Sequence, residues 1–147
     1  MDDIDRKLLK LLQQNGRAQY AELAKAVSLS VPSVRERILK LESSGIIKGY
    51  TCALDYEKIG YGVAAVILVE LSGNGSDVKD ELAQIPTILS CKSLAGRQDL
   101  ILEVRLAETK QLLELSERLR KIPGVTKTES IIVLHEYFSQ NKLINDQ

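Results

Sequence analysis

The sequence predicts an α+β protein in which a winged-type helix-turn-helix domain (residues 1–48) precedes a ferredoxin-like βαββαβ domain (residues 61–147), with a connector strand or hinge over residues 49–60. Two observations lead to this prediction. The first 45 residues contain three segments whose apolar residues recur at helical spacing. After Tyr61, apolar runs of strand length alternate with two helical segments, which is the pattern of a split βαβ unit.

Two short helices are predicted at the start of the chain. Asp2 can cap the first helix, and Asn15-Gly16 ends it. The apolar residues of this first helix share one face: Ile4, Leu8, Leu11 and Leu12. A second helix is predicted over about residues 20–27, and Ser28-Leu29-Ser30 forms the turn to a third.

The third helix has the composition of a helix that reads the DNA major groove. Ser30 can cap it, Pro32 is tolerated in its first turn, and Gly45 ends it. At about 100° per residue, the buried face contains Val34, Ile38 and Leu41, and the polar side chains lie away from this face or on its flanks. The candidate DNA-binding residues are Ser30, Pro32, Ser33, Arg35, Glu36, Arg37 and Lys40. The alternatives are an ordinary amphipathic helix with a solvated polar face and, for Arg37, a salt bridge with a nearby acid.

The charge distribution fits DNA binding by the first domain. Residues 1–50 carry nine basic groups against six acidic groups, a net charge of +3, and the remainder of the neutral chain therefore carries −3. A mildly basic domain attached to a mildly acidic one is typical of a protein that binds DNA through the basic part. The bias is modest and would be weak without the helical pattern.

Composition disfavours several other classes of protein. The chain has no run of about 18 apolar residues, so no membrane helix is predicted. The acidic N-terminus has no hydrophobic signal segment, and we expect a cytoplasmic protein. Cys52 and Cys91 lack CxxC spacing and are predicted to be unpaired thiols. With a single histidine, no Walker loop and no metal-ligand cluster, the sequence argues against an enzyme, and no cofactor is expected.

Residues 61–147 contain the six elements of the predicted ferredoxin-like domain. Strands are predicted at residues 63–69, 88–94, 100–106 and about 126–138, and helices at residues 76–84 and 109–121. Right-handed crossovers place both helices on one face of the sheet. The other face remains apolar along the first and last strands, which predicts self-association, with a two-fold homodimer as the default.

The succession of motifs resembles the leucine-responsive regulator / asparagine regulator (Lrp/AsnC) family, also called feast/famine regulators, over nearly the whole chain. The residues that carry the resemblance are 2–9 (DDIDRKLL), Asn15-Gly16-Arg17, Glu22-Leu23-Ala24, Leu29-Ser30, Val34, Arg37-Ile38, Leu41-Glu42, Gly45-Ile46-Ile47, the Gly-x-x-Asp loop Gly96-Arg97-Gln98-Asp99, and Pro123-Gly124-Val125 with Thr128 and Ser130. Each is weak alone, but their order is specific. The chain departs from the family at Gln19, where many members have Ser or Thr as a better cap, and at Leu39, where many have arginine.

The resemblance implies a transcription regulator that binds double-stranded DNA. It further implies that the second domain forms homodimers and that the dimers assemble further, often as four dimers in a ring, an octamer. Two recognition helices would then lie about one DNA turn apart. Arg35 or Arg37 is expected to read guanine or to contact only phosphate.

The resemblance also implies a small-molecule effector, for which an amino acid is the expected class. Asp99 supplies a carboxylate for an ammonium group, and Gly96 lets backbone N–H groups approach a carboxylate closely. Arg97 could pair with that carboxylate, and threonine hydroxyls from the last strand could add contacts. The candidate effector-binding residues are Gly96, Arg97, Gln98, Asp99, Leu100, Thr126 and Thr128. The alternative is that residues 96–99 form only a β-turn in which Asp99 bonds its own backbone.

Two other functions stay open at this point. An architectural DNA-compacting protein without an effector would bind long DNA at many sites with little specificity. Siroheme decarboxylases resemble the same two-domain architecture, but such a site is expected to need basic and imidazole groups around a tetrapyrrole. The only histidine in the sequence, His135, lies on the predicted last strand and is expected to be a sheet or interface residue.

Overall fold

A computed structural model describes residues 1–73 and 76–139 of the chain. The described residues form two compact units: Met1–Ala53 together with residues 138–139, and Leu54–Tyr137. The division between Ala53 and Leu54 falls inside the predicted connector. Each unit is described below by itself.

The first unit contains the three predicted helices, α1 (Asp3–Gln14), α2 (Tyr20–Val27) and α3 (Val31–Ser43). Asp2 caps α1 by accepting the Asp5 N–H at 2.9 Å, and the Asp5 carboxylate accepts the Asp2 N–H at 3.0 Å. This reciprocal capping box satisfies two N–H groups that the first helical turn leaves without intrahelical partners. Before α2, the Glu22 carboxylate accepts the Gln19 N–H at 3.0 Å, so a carboxylate supports a helix start at which Gln19 itself is a poor cap.

A tight turn sets α3 against α2. Ser28 adopts a left-handed conformation, with φ of +55°, and the Leu29 N–H donates to the Ala24 carbonyl at 3.0 Å. The Ser30 hydroxyl then accepts the Ser33 N–H at 3.3 Å and begins α3. The core between the helices is formed by buried aliphatic side chains: Leu8, Leu23, Ala24, Val34 and Ile38. The predicted buried face of α3 is therefore confirmed.

The connector over residues 49–60, predicted as a strand or a hinge, forms no strand in the structure, which has none between α3 and Gly62. Residues 56–60 form a turn in which the Tyr61 N–H donates to the Tyr56 carbonyl at 2.7 Å. The wing that a winged-type domain implies is likewise not formed as a hairpin within residues 1–62. A strand needs a neighbouring backbone with which to pair, and no backbone among residues 1–73 and 76–139 pairs with this segment.

The second unit has the predicted βαββαβ order: β1 (Val63–Leu71), α4 (Ser76–Ala83), β2 (Ile88–Ser93), β3 (Leu100–Leu106), α5 (Thr109–Arg120) and β4 (Val125–Val133). The strands form one antiparallel sheet in the order β2-β3-β1-β4, so the ferredoxin-like architecture is confirmed. None of the helices in the described part of the chain is long and apolar enough to cross a membrane.

One hydrophobic core holds both helices against the same face of the sheet. It contains alternate residues of β1 and β3, with Ile67 and Leu102 fully buried, and side chains of α4 and α5 such as Leu82 and Leu119. The opposite face of the sheet is apolar along β1 and β4: Ala64, Val66, Leu68, Ile131 and Val133. We call these five residues the outer apolar face. Ile131 and Val133 remain 45% and 37% exposed in the single chain.

The last strand is shorter than predicted and ends at Val133 rather than at residue 138. Its last pair joins Val133 to Ala64, and β1 begins only one residue before Ala64, so the chain beyond Val133 has no backbone to pair with. Leu134 is accordingly 94% exposed. His135 therefore lies beyond the sheet, where its ring contacts Tyr137 edge-on at 4.8 Å, and its predicted position on the last strand is wrong.

Candidate functional site: a nucleic-acid interface and an effector loop

The start of α3 is organised by two serine hydroxyls. The oxygens of Ser30 and Ser33 are 2.8 Å apart, and the Ser30 oxygen also accepts the Ser33 N–H. These bonds fix the first turn of the helix. Ser30 is thus first a cap, and its predicted contact with DNA stays a prediction.

The exposed face of α3 presents two cations without acidic partners. Arg35 and Lys40 are exposed, and within residues 1–73 and 76–139 neither side chain pairs with a carboxylate. Pro32 and Glu36 are exposed on the same helix. A helix held rigidly by its core and carrying free cations can approach a polyanion without first breaking ion pairs.

Arg37 is placed differently, because it is bound to the first helix. Its guanidinium donates to the Asp5 carboxylate at 2.7 Å and to the Asp2 carboxylate at 2.8 Å. The Asp5 side chain is only 15% exposed, and that of Arg37 is 31% exposed. The salt bridge considered as the alternative for Arg37 is the interaction that forms, and it joins the recognition helix to the capping box of α1.

The ionisation of these groups follows from the same contacts. The pKa of Asp2 lies below its usual value, first because its carboxylate accepts the Asp5 N–H and then because it accepts the Arg37 guanidinium. The pKa of Arg37 is raised, first by its bond to Asp5 and then by its bond to Asp2. The Asp2 carboxylate and the Arg37 guanidinium are therefore both charged at neutral pH, and the bond between them joins opposite charges.

The loop between β2 and β3 is a bend and not the β-turn considered as the alternative to an effector site. The Leu94 N–H donates to the Asp99 carbonyl at 2.8 Å and closes the loop at its base. The Asp99 carboxylate accepts the Leu71 N–H at 2.7 Å, and the Asp99 N–H donates to the Val69 carbonyl at 2.9 Å. Asp99 thus bonds the end of β1 and not its own backbone. Gly96 and Arg97 are exposed at the tip.

Two threonines flank the same end of β1 from the other side. The Thr126 hydroxyl donates to the Glu70 carbonyl at 3.0 Å. Thr128 lies opposite Val69 in the β1–β4 register, and its hydroxyl oxygen is buried without a hydrogen-bond partner among the described residues. The structure therefore brings Asp99, Thr126 and Thr128 to one end of the sheet, on either side of the last residues of β1.

Two further candidate effector-binding residues, Gln98 and Leu100, lie close to this end of the sheet, but their side chains are partly or fully buried. The Leu100 side chain is 3% exposed and belongs to the hydrophobic core, so only its backbone is available to a ligand. Gln98 is half-buried in the loop. The arrangement is open on one side within a single chain, because the loop tip with Gly96 and Arg97 is exposed.

A groove between α5 and β4 was missed by the sequence reasoning. The Ser116 hydroxyl donates to the Leu112 carbonyl at 2.8 Å, and the Ser116 and Ser130 oxygens are 2.6 Å apart. Arg120 and Thr128 line the same groove, which has a volume of about 370 Å³. The signal that could have found it is Ser116, a polar residue within the buried stripe of an otherwise leucine-rich helix.

Both units match one family of known proteins. Residues 1–42 match the AsnC-type helix-turn-helix domain, and residues 64–143 match the Lrp/AsnC ligand binding domain, which alone spans more than half of the chain. The chain belongs to the Lrp/AsnC family of transcription regulators. The resemblance proposed from the sequence and the predicted regulatory function are thereby confirmed.

Relatives of this Lrp/AsnC regulator match it along almost their whole length. The HTH-type transcriptional regulator FL11 of Pyrococcus horikoshii is 35% identical over 144 residues, which are 97% of this chain and 95% of the relative. A feast or famine regulatory protein from M. tuberculosis, solved in complex with L-methionine, is 34% identical, with a TM-score of 0.92 over 98% of this chain and 99% of that chain. A transcriptional regulator from Neisseria meningitidis, solved with L-Met, is 29% identical, with a TM-score of 0.90 over 97% and 96% of the two chains.

One departure from the family pattern lies on the recognition helix of this Lrp/AsnC regulator. Leu39, at a position where many members have arginine, is 50% exposed, and Val31 on the same helix is 43% exposed. An apolar side chain cannot replace a cation at a phosphate, so Arg35 and Lys40 carry the positive charge of the exposed face of this helix.

Proposed function

We propose that this Lrp/AsnC regulator binds specific DNA sequences through α3 and that an amino acid bound near a subunit interface modulates the binding. The observation that carries the DNA-binding part is the pair of unpartnered cations, Arg35 and Lys40, on a rigidly packed recognition helix. Because its partner would be chromosomal DNA, we place the protein in the cytoplasm. Its relatives are named transcriptional regulators, and we assign it no catalytic activity.

The candidate DNA-binding residues take different roles in this proposal. Arg35 reaches a guanine or a phosphate, and Lys40 contacts phosphate. Glu36 lies between them along the helix, and Ser33 lies in the first turn, before Arg35. Pro32 and Ser30 shape the helix start. The two ion pairs of Arg37 favour a positioning role for it, since a guanidinium that already binds two carboxylates would lose those bonds on turning to DNA.

The outer apolar face supports a homodimer. Its five apolar side chains lie side by side on neighbouring antiparallel strands, with Val66 directly opposite Ile131. Exposed aliphatic surface of this kind is unfavourable in water, and a second copy with the same face would bury it about a two-fold axis. A dimer would carry two copies of α3, and further assembly to a ring of four dimers is part of the proposal.

The effector would bind at the end of β1, where the loop and the two threonines meet. Asp99 keeps one carboxylate oxygen on the Leu71 N–H and offers the other to an ammonium group. Arg97 and the backbone at Gly96 would take the carboxylate, and Thr126 would add a hydroxyl. Two structural relatives were solved with L-methionine, which supports an amino acid as the class of effector. The open side of the site would be closed by another subunit.

The experiment that tests this function is a DNA titration of the full-length protein. Binding to DNA from upstream of its own gene is compared with binding to scrambled DNA of equal length at physiological salt, with and without a mixture of the twenty amino acids. Preference for the upstream DNA that the mixture alters is the expected result. Equal affinity for both DNAs would favour an architectural protein, and no binding to either would contradict the proposal.

Variants of Asp99 separate a ligand role from a structural one. Asp99→Asn keeps an oxygen that accepts the Leu71 N–H but removes the charge, so we expect a folded protein that no longer responds to amino acids. Asp99→Ala removes both and should also lower stability by about 1–3 kcal/mol, the usual effect of losing a hydrogen bond to a charged acceptor. An unaltered amino-acid response of Asp99→Asn would remove this residue from the effector site.

A further inference from the structure

Glu36 lies at the middle of the exposed face of α3. With about 100° of rotation per residue, it is nearly opposite the three buried residues of this helix. Viewed along the helix axis, Arg35 lies about 100° to one side of Glu36, and Lys40 lies about 40° to the other side. The two cations that have no carboxylate partner among the described residues therefore stand on opposite sides of an acid.

The carboxylate of Glu36 has no partner of its own within residues 1–73 and 76–139, and its side chain is exposed. Lys40 lies four residues further along α3, which is a favourable spacing for a pair of glutamate and lysine on a helix, but no ion pair joins these two residues. Phosphates repel an acid on a DNA-binding face, so Glu36 weakens binding unless its carboxylate accepts a hydrogen bond from the DNA.

The order of these charges fits a helix that lies in the major groove. Phosphates line the two walls of the groove, and base edges form its floor, so the middle of an inserted helix faces the bases. Arg35 and Lys40 lie nearer the two walls, and Glu36 lies towards the floor. An acid in this position favours or opposes binding according to the base that it meets.

The hydrogen-bonding pattern of the bases decides which of them a carboxylate can bind. In the major groove, cytosine and adenine present an amino group that donates, whereas guanine and thymine present acceptors. Adenine carries the N7 acceptor beside its amino group, and N7 would repel the second carboxylate oxygen. We propose that Glu36 selects a cytosine by accepting a hydrogen bond from its N4 amino group. This inference rests on the proposed binding of DNA through α3 and names a base that the helix reads.

Leu39 adds an apolar contact beside this carboxylate. It is 50% exposed and lies about 60° from Glu36, on the side of Arg35. Along the helix axis the two residues are about 4.5 Å apart, close to the spacing of about 3.4 Å between neighbouring base pairs. The apolar group that distinguishes a base in the major groove is the C5-methyl group of thymine. Leu39 therefore contacts a thymine at a base pair next to the cytosine.

Selection of bound duplexes from a random DNA pool by the full-length protein tests the inference. The wild type should select a cytosine at one position of each half-site. Glu36→Gln should select an adenine there, because glutamine binds N6 and N7 of adenine and has a helix propensity similar to that of glutamate. The matched control is Asp3→Asn, which removes one negative charge from the first turn of α1 and should select the wild-type sequence.

Fluorescence anisotropy on duplexes that differ at one base pair gives the size of each preference. The wild type should bind the cytosine duplex about fivefold or more tightly than the other three, the low end of the discrimination by one base-specific contact. Replacing the neighbouring thymine by deoxyuridine removes only its methyl group. This replacement should weaken the wild type about fourfold, the effect of one buried methyl group, and should leave Leu39→Ala unchanged.

The other outcomes distinguish this inference from the proposed function on which it rests. If Glu36→Gln selects the same sequence as the wild type, or if the position that it changes is not a cytosine in the wild-type site, the assigned role of Glu36 is wrong and specific binding stands. An equal effect of deoxyuridine on the wild type and Leu39→Ala would remove Leu39 from the contact. If the wild type selects no sequence, both the readout and specific binding are overturned.

Discussion

The contrast between Lys40 and Arg37 makes a quantitative prediction about DNA binding. Both are cations of α3, but the ammonium of Lys40 has no carboxylate partner in the described chain and the guanidinium of Arg37 has two. A free cation that contacts phosphate releases a condensed counterion, whereas a cation already neutralised by the protein releases little. Lys40→Gln should therefore lower the salt dependence of DNA affinity, and Arg37→Gln should change it much less.

The magnitude follows from the number of recognition helices in the proposed dimer. Each phosphate contact contributes about 0.9 to the slope of log K against log salt concentration, so two copies of Lys40→Gln should reduce the slope by about 1.8. Between 50 and 200 mM salt, a fourfold range, the ratio of wild-type to variant affinity should therefore shrink by about tenfold. The loss should be equal for specific and scrambled DNA, because phosphate contacts carry no sequence information.

Fluorescence anisotropy on one labelled duplex at five salt concentrations gives the slopes directly. The control for Arg37 is the double variant Asp2→Asn/Arg37→Gln, which keeps the net charge of the wild type and retains a side chain able to cap α1. Its slope should match that of the wild type, although its affinity should fall for all sequences because α3 is no longer fixed to α1. A slope for Arg37→Gln as shallow as that for Lys40→Gln would show that Arg37 contacts phosphate and would refute the assignment.

Three further predictions concern the fold and the assembly. Ile67→Ala, at a fully buried position of β1, should lower the free energy of unfolding by about 2–5 kcal/mol in urea titrations, and a loss below about 1 kcal/mol would contradict the central position of this residue in the core. Partial burial and the bond to Glu42 raise the pKa of Tyr50 from its ordinary value of 10.0 to about 12, so protonated Tyr50 stabilises the fold below pH 10 and this contribution is lost as the pH rises towards 12. Tyr50→Phe should flatten that alkaline loss of stability in urea titrations at several pH values, and an unchanged pH profile would argue against the raised pKa. Ile131→Glu should convert dimers to monomers in sedimentation velocity while Ile67 and the rest of the core stay intact, and a persistent dimer would exclude the outer apolar face as the interface.

The elements that the sequence predicts well are those whose signals are local. Asp2, Asn15 and Ser30 mark helix ends through hydrogen bonds within a few residues, and the three helices of the first unit match the predicted bounds closely. The alternation of Leu100 and Leu102 likewise gives the buried face of β3, because neighbouring side chains in a strand point to opposite sides.

The elements that the sequence misses depend on pairing with distant parts of the chain. The apolar texture of residues 126–138 continues past Val133, but the strand ends where β1 has no more backbone to offer. The sequence of the connector is typical of an extended segment, but no strand pairs with it in the part of the chain that the structure describes. The residue composition of a segment predicts whether it would be stable as a strand in a sheet. Whether a neighbouring strand is present to pair with it depends on the three-dimensional fold.

In the candidate sites, too, features with a local sequence signal could be predicted, and features that depend on distant contacts could not. The exposed face of α3 could be predicted from helical periodicity, but the roles of its two arginines could not, since Arg37 meets acids that lie 32 and 35 residues earlier in the chain. Asp99 was predicted from a motif, yet the motif does not reveal that its carboxylate also holds the N–H of Leu71.

The bond from Leu71 to Asp99 would connect the proposed effector site to the sheet. The N–H of Leu71 and the carbonyl of Val69 both bond Asp99, so the loop that would hold the effector is fastened to the end of the strand that lies at the centre of the sheet. The same strand carries Val66 and Leu68 on the outer apolar face. A ligand ammonium that bonds the Asp99 carboxylate would weaken or reorient the bond of that carboxylate to Leu71, and would thereby affect the strand that carries the proposed dimer contact. The coupling free energy between linked sites is usually about 1–3 kcal/mol, which is enough to shift an assembly equilibrium by about 5- to 150-fold. An effector could therefore change how many recognition helices bind DNA together without moving the DNA-binding unit directly.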